Sequence, residues 1–359
     1  MDQSSKSQLL LAEIQRLKDK LQGIKLPQAL QLKVEDMLDR LNRTAKFGAF
    51  SEEYERTSHY IDWLIKIPWG KHTNDRINLE EAKTILDNHH YGLEPVKQRM
   101  LEFLATVQLN LNREQDDPTK IASHAPILCL VGLAGTGKTT FAYALAKAMG
   151  RKIARIPFGG IGSARDIRGQ SRLHLEAEPG RIIRALVDAG TMNPILLLDE
   201  IDRVNEEARN DIMGVLLALL DPGQNKSFID HYVDFPVNLN QTLFIATCNN
   251  TDNISTAVKN RLEIIQMPTY SDEEKITIAK QYLIPEAILQ AGLPEGSFEI
   301  EESVWPAIVR PLGFDSGIRV LNRAVERMVR KAAFQIVKQG VKKIVINSEN
   351  LNDYIEEYF

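Results

Sequence analysis

The stretch Ile127-Leu128-Cys129-Leu130-Val131-Gly132-Leu133-Ala134-Gly135-Thr136-Gly137-Lys138-Thr139-Thr140 leaves a folding chain few choices. An apolar run makes a buried strand, the glycines make a turn, and the amphipathic segment from Phe141 to Met149 makes a helix. Gly132, Gly135 and Gly137 let the backbone bend so that successive N–H groups face inward, at the positive end of the following helix. An anion is held by such a loop. The spacing is GxxxxGK[ST], in which Lys138 reaches the β- and γ-phosphates as a point charge and the Thr139 hydroxyl is placed for Mg²⁺. Gly132, Leu133, Ala134, Gly135, Thr136, Gly137, Lys138, Thr139 and Thr140 are therefore candidate nucleotide ligands.

From Ile127 onward apolar strands alternate with helices, the pattern of a parallel sheet covered on both faces. Five strands are expected, at Ile127 to Val131, Lys152 to Ile156, Pro194 to Leu198, Thr242 to Thr247 and Glu263 to Met267. In such a sheet a ligand sits beyond the carboxyl ends of the strands. Ile195-Leu196-Leu197-Leu198-Asp199-Glu200 ends there in two carboxylates. Asp199 is suited to hold Mg²⁺ through water, and Glu200 to orient and deprotonate an attacking water. Asn249 ends the fourth strand, where it can position that water or the γ-phosphate, or simply serve the turn. Arg261, ahead of the fifth strand, is either a surface arginine or one that reaches a neighbouring subunit's γ-phosphate. Arg319 opens a long basic helix from Gly317 to Gln339, a place where a cation is unfavourable unless an anion compensates it.

The rest of the 359 residues reads as helical surroundings. Leu9, Leu10, Ile14, Leu17 and Leu21 give an amphipathic helix over Ser4 to Gln22; others follow from Gln28 to Arg43 and from a Ser51 cap to about Ile67. These predict a small bundle that packs against other parts without chemistry of its own. Asn78 with Glu81 signals a helix start, Glu94 to Asn110 is helical, and the polar Asn112 to Ser123 is expected to be a surface connection. Ser271 caps a helix to about Gln290. Cys129 and Cys248 fall in buried strands and are expected to be reduced core residues. The net charge of −4 includes no long basic block, which argues against nucleic acid as the main substrate but leaves a local basic face open. No apolar run approaches the ~20 residues of a membrane span, and the N-terminus reads as a polar helix, so no membrane partner and a cytoplasmic location are expected.

A phosphate cradle, a two-carboxylate strand end, a polar fourth-strand end and two spaced arginines come in the order of the AAA+ ATPases, which this chain resembles. More narrowly it resembles the Lon family. The resemblance rests on His90-Tyr91-Gly92-Leu93-Glu94-Pro95-Val96-Lys97, Phe158-Gly159-Gly160, Ile167-Arg168-Gly169, Pro179-Gly180-Arg181-Ile182-Ile183, Leu220-Asp221-Pro222-Gly223-Gln224-Asn225, Phe228-Ile229-Asp230-His231-Tyr232 and Asn260-Arg261-Leu262-Glu263-Ile264-Ile265. It covers the chain from about residue 50, and the first helices more loosely.

That resemblance implies an α/β fold with a five-stranded parallel sheet of order 5-1-4-3-2. It implies an N-terminal helical bundle (1–72), a nucleotide-binding domain (73–270) and a helical lid (271–359). Implied too are ATP/ADP and Mg²⁺ as ligands and a homo-oligomeric ring of six around nucleotide held between neighbours. Gly137, Lys138 and Thr139 would be Walker A, Asp199 and Glu200 Walker B, Asn249 sensor 1, Arg261 the arginine finger and Arg319 sensor 2. The turn at His90-Tyr91-Gly92 would border the adenine, with Tyr91 as a nucleotide ligand. The family's protease domain would begin just after Ile355, whereas the sequence runs only to Phe359. Two readings follow: the unfolding motor of a protease whose peptidase is elsewhere, or a non-proteolytic remodelling ring. The loop expected to grip polypeptide carries His174-Leu175, with Glu176 and Glu178 close behind, in place of an aromatic–aliphatic pair, and Arg203 to Ile212 lacks the family's second pore-loop run.

Overall fold

The computed structural model describes residues 3–46, 52–116, 127–174, 176–310 and 317–355. Helices α1 (Gln3–Gln22), α2 (Gln28–Lys46) and α3 (Glu52–Lys66) form the bundle. Their three- and four-residue apolar spacing becomes a buried seam of Leu10, Ile14 and Leu17 with Leu30, Val34, Leu38 and Leu41. α2 runs to Lys46, beyond the expected Arg43, while the expected cap Ser51 lies outside the described residues. Asn78 Oδ1 accepts the Glu80 and Glu81 N–H groups at 3.0 and 3.2 Å and starts α4 (Leu79–His89). α5 (Glu94–Asp116) overruns the expected connection at Asn112. Its Asn-Arg-Glu-Gln-Asp end contains no Gly or Pro, so polarity alone did not stop the helix.

The sheet contains β1 (Ile127–Val131), β2 (Ile153–Pro157), β3 (Ile195–Asp199), β4 (Leu243–Cys248) and β5 (Leu262–Gln266). Each expected strand is present to within about a residue at either end. All pairings are parallel and the order is β2-β3-β4-β1-β5, the expected order counted from the other edge. Side chains alternate between its faces. Cys129, Val131, Leu196 and Leu198 enter one core, while Leu128, Leu130, Ile195 and Leu197 enter the other. The first core continues into the bundle; the second takes in α4, α5 and α6 (Lys138–Met149) together with the C-terminal helices. The two free cysteines are buried with their sulfurs 3.7 Å apart.

The bundle sits on the segment from Tyr232 to Phe235. Tyr60 donates its hydroxyl to the Val233 carbonyl at 2.8 Å and meets Tyr232 edge-on, and Trp69 meets Phe235 likewise. At the other end of the chain, Ser271 and Glu274 complete a reciprocal capping box for a helix running from Asp272 to Gln290. A π turn at Ala279–Leu283 lies just before Pro285, whose missing N–H interrupts the helical ladder. Helix Arg319–Gln339 follows, then a strand Ile344–Ile346 paired with Phe298–Ile300, and a final turn Leu351–Tyr354. Among the described residues no helix is long and apolar enough to cross a membrane.

Candidate active site

The glycine loop leaves β1 with Gly132 N–H donated to the Cys248 carbonyl of β4 at 3.2 Å, so it lies at the carboxyl edge of the sheet. Gly137 caps α6 with φ 91° and no side-chain cap, a left-handed position that a β-carbon would strain. The first N–H groups of α6 are thus left to a ligand. Thr136 and Thr140 turn their hydroxyls onto the Leu133 and Gly137 carbonyls, at 2.9 and 2.7 Å, and so hold the loop's shape. Leu133 and Ala134 form its exposed tip. Lys138 Nζ donates to the Gly132 and Leu133 carbonyls at 2.6 and 2.9 Å and to Asn249 Oδ1 at 3.2 Å. Burial pulls its pKa below the ordinary lysine range, against the opposing field of Cys248, Asp202, Asp199 and Glu200.

Asp199 ends β3 almost fully buried, with Oδ1 3.5 Å from the Thr139 hydroxyl. Hydroxyl and carboxylate oxygens side by side are a donor set that fits Mg²⁺. Two residues that sequence reasoning did not single out complete this corner. Thr247 donates to Asp199 Oδ1 and accepts the Glu200 N–H at 2.9 Å, tying β4 to both acids. Arg155 of β2 bonds Asp199 Oδ2 through Nε at 2.6 Å and Nη2 at 2.5 Å. Glu200 itself is left-handed at φ 57°, rare for a non-glycine residue and concentrated at functional sites. Its carboxylate lies over Gly159, where an added β-carbon would come within 3.3 Å. Asn249 is fixed from behind, because Asp202 Oδ2 accepts its N–H at 3.0 Å.

Arg319 starts its helix against this loop. The Ile318 N–H donates to the Gly135 carbonyl at 3.1 Å, and a β-carbon on Gly317 would lie 2.5 Å from the Ala134 carbonyl oxygen. Two helix N-termini, at Lys138 and Arg319, therefore meet at one glycine loop. The expected sensor and the cradle are adjacent. Arg261 is elsewhere: its Nη1 pairs with Asp221 Oδ2 at 2.6 Å. Of the expected adenine border, Tyr91 is half-buried against the second core. Its neighbour His90 goes deeper, stacked flat on Phe141 with centroids 3.5 Å apart, and a β-carbon added to Gly137 would come within 3.4 Å of its ring. Burial drives the His90 pKa down to about 4, and among the described residues its Nε2 has no hydrogen-bond partner.

This buried neutral imidazole has a pH consequence. The folded pKa lies below the unfolded 6.5, so its contribution to stability is complete above pH 6.5 and is lost as pH falls toward about 4. Replacing His90 by Phe is expected to flatten the fall in stability across that window by a few kcal/mol, read as urea midpoints at successive pH values. Equal pH slopes in the two proteins would refute the assignment.

The loop carrying His174 is closed at its base by Asp230, whose carboxylate accepts the Gly180, Tyr232 and Val233 N–H groups at 2.7 to 3.1 Å. Burial pushes the Asp230 pKa up to about 6 in spite of those donors. His174 is exposed and Leu175 lies outside the described residues. His174 borders a cleft of about 820 Å³ between this loop and helices α1 and α3.

The geometry is that of a P-loop nucleotide site on a β2-β3-β4-β1-β5 sheet, and residues 128–270 match the family model for "ATPase family associated with various cellular activities (AAA)". This segment is an AAA ATPase domain. Within that class the chain is similar to Lon proteases. It is 38% identical over 345 residues to Lon protease 2 of Thermus thermophilus, covering 96% of this chain and 42% of that protein. It is 39% identical over 343 residues to Lon protease 1 of Bacillus subtilis, at 96% and 43% coverage. Similarity extends to the mitochondrial Lon protease homolog of Homo sapiens, 36% identical over 341 residues, 95% of this chain and 34% of that one. The chain belongs with the Lon-type AAA+ ATPases and spans about two fifths of the length of the first two relatives.

Proposed function

We propose that this Lon-type ATPase module converts ATP hydrolysis into pulling on a polypeptide, as the motor of an ATP-dependent protease. The observation that carries the reading is the convergence of Lys138, Thr139, Asp199, Glu200 and Asn249 on a glycine loop that the lid segment Gly317–Arg319 touches directly. Loop N–H groups and Lys138 bind the phosphates, with Lys138 exchanging its carbonyl partners for phosphate oxygens. Thr139 and Asp199 would hold Mg²⁺, which supplies charge neutralisation between the phosphates when bound. Glu200 takes the proton of the attacking water, and Asn249 fixes that water or the γ-phosphate. Arg319 senses the phosphates from the lid, and Tyr91 borders the base. Because the lid meets the loop through backbone, a change at the phosphates alters lid position.

Arg261 serves the site of the next subunit, so the working form is a ring, six-membered by family resemblance. The bundle (1–72), nucleotide-binding domain (73–270) and lid (271–359) are its parts, and the setting is cytoplasmic. A non-proteolytic remodelling ring is the second reading. It is favoured by the loop in which His174-Leu175, with Glu176 and Glu178 close behind, stands where an aromatic–aliphatic pair is expected. The deciding experiment is ATP-driven unfolding of a tagged fluorescent protein. Unfolding that disappears in His174→Ala while ATP hydrolysis persists supports a pulling motor. Unfolding unchanged in that variant removes His174 from the grip, and hydrolysis without any unfolding favours the second reading.

A further inference from the structure

We propose that Arg155 acts as the built-in counter-cation of Asp199, competing with Mg²⁺ and setting how much magnesium the site requires. The proposal rests on the nucleotide-site reading above. Asp199 has only two oxygens to offer. Oδ2 is bonded by both Nε and Nη2 of Arg155, while Oδ1 faces Thr139 and Thr247. The carboxylate side chain is 4% exposed and the arginine 50% exposed. A buried anion needs a partner, and a guanidinium entering from the solvent side provides one without occupying the Thr139 side.

Two effects of Arg155 on a metal held by Asp199 oppose each other. Its charge repels a dication and drains the carboxylate's field, which weakens metal binding. Its hydrogen bonds fix the carboxylate's orientation, which strengthens it. Orientation is already secured without Arg155, by the Thr247 hydroxyl and by the end of a fully buried strand. Charge is therefore the larger effect, and removing it tightens the metal. The position is also adjustable: Arg155 lies on the sheet's edge strand and is half exposed, so its side chain can withdraw into water when a second cation arrives.

The test is fluorescence binding of mant-ADP, first in EDTA and then along a Mg²⁺ titration, for the wild-type chain, Arg155→Gln and Arg155→Lys. Metal-free ADP affinity is expected to be equal in all three. Half-saturating Mg²⁺ should fall at least about threefold in the Gln variant and stay within about twofold of wild type in the Lys variant, which keeps the charge. An unchanged or raised magnesium requirement in Arg155→Gln overturns the proposal, as does an equal fall in Arg155→Lys. Weakened metal-free ADP binding in the Gln variant also overturns it, because Arg155 would then be shaping the nucleotide pocket. If the wild-type chain binds no ADP with or without magnesium, the nucleotide-site reading fails and this proposal with it.

Discussion

Glu200→Gln is expected to lower ATP hydrolysis by roughly 10²- to 10⁴-fold while leaving nucleotide binding nearly intact, so that the variant retains ATP it cannot cleave. The substitution keeps the side chain's size over Gly159 and leaves the backbone N–H bonded to Thr247 Oγ1. The carboxylate's basicity and charge are lost, and with them the 3.5 Å ion pair to Arg203, which lies at the surface and contributes little. The backbone at φ 57° is a costly conformation for a non-glycine residue, held at the end of β3 directly after Asp199. Phosphate release and retention of labelled ATP after gel filtration read the two halves of the prediction. A variant that hydrolyses at the wild-type rate would remove Glu200 from the role of base.

Arg261→Ala is expected to lower hydrolysis by roughly 10³- to 10⁵-fold, the range of a guanidinium supplied to a transferring phosphoryl group. In one chain Arg261 is paired with Asp221 at 2.6 Å and shares no hydrogen bond with the glycine loop among the described residues. The proposed target is therefore the neighbouring subunit's nucleotide. Mixing discriminates this from a role within the subunit. An Arg261→Ala chain retains Glu200, and a Glu200→Gln chain retains Arg261. Where the second abuts the first, a complete site forms, and the mixture should exceed both parents in hydrolysis. A mixture no more active than its parents would place Arg261 in its own subunit's site, and wild-type activity in the single variant would make it a surface arginine.

Much of this arrangement was legible in the residues. The glycine loop has a fixed spacing, and a buried apolar run that ends in Asp199-Glu200 leaves its acids at the carboxyl edge of a parallel sheet. Those are local patterns. Arg155 and Thr247 were not legible, because their part depends on which strands lie side by side: both meet Asp199 only through the pairing of β2, β3 and β4. In the sequence, Arg155 is one basic residue within a short strand. The turn at His90-Tyr91-Gly92 was legible as a unit, but nothing in the local pattern says which of its two rings turns inward. The end of α5 was missed for a different reason: polar residues read as a connection, yet solvent on one side is compatible with a helix as well as with a loop.

The division of the interior into two cores bears on how the chain can be dissected. The bundle is married to one face of the sheet through Tyr60, Trp69 and the Tyr232–Phe235 segment, and the C-terminal helices belong to the opposite face. Shearing off the first helices would leave a broad greasy wall bare to water, so a trimmed fragment would be sticky rather than simply smaller. The five strands act as a partition between two compartments, and that shared wall is one route by which agitation of the C-terminal side reaches the bundle.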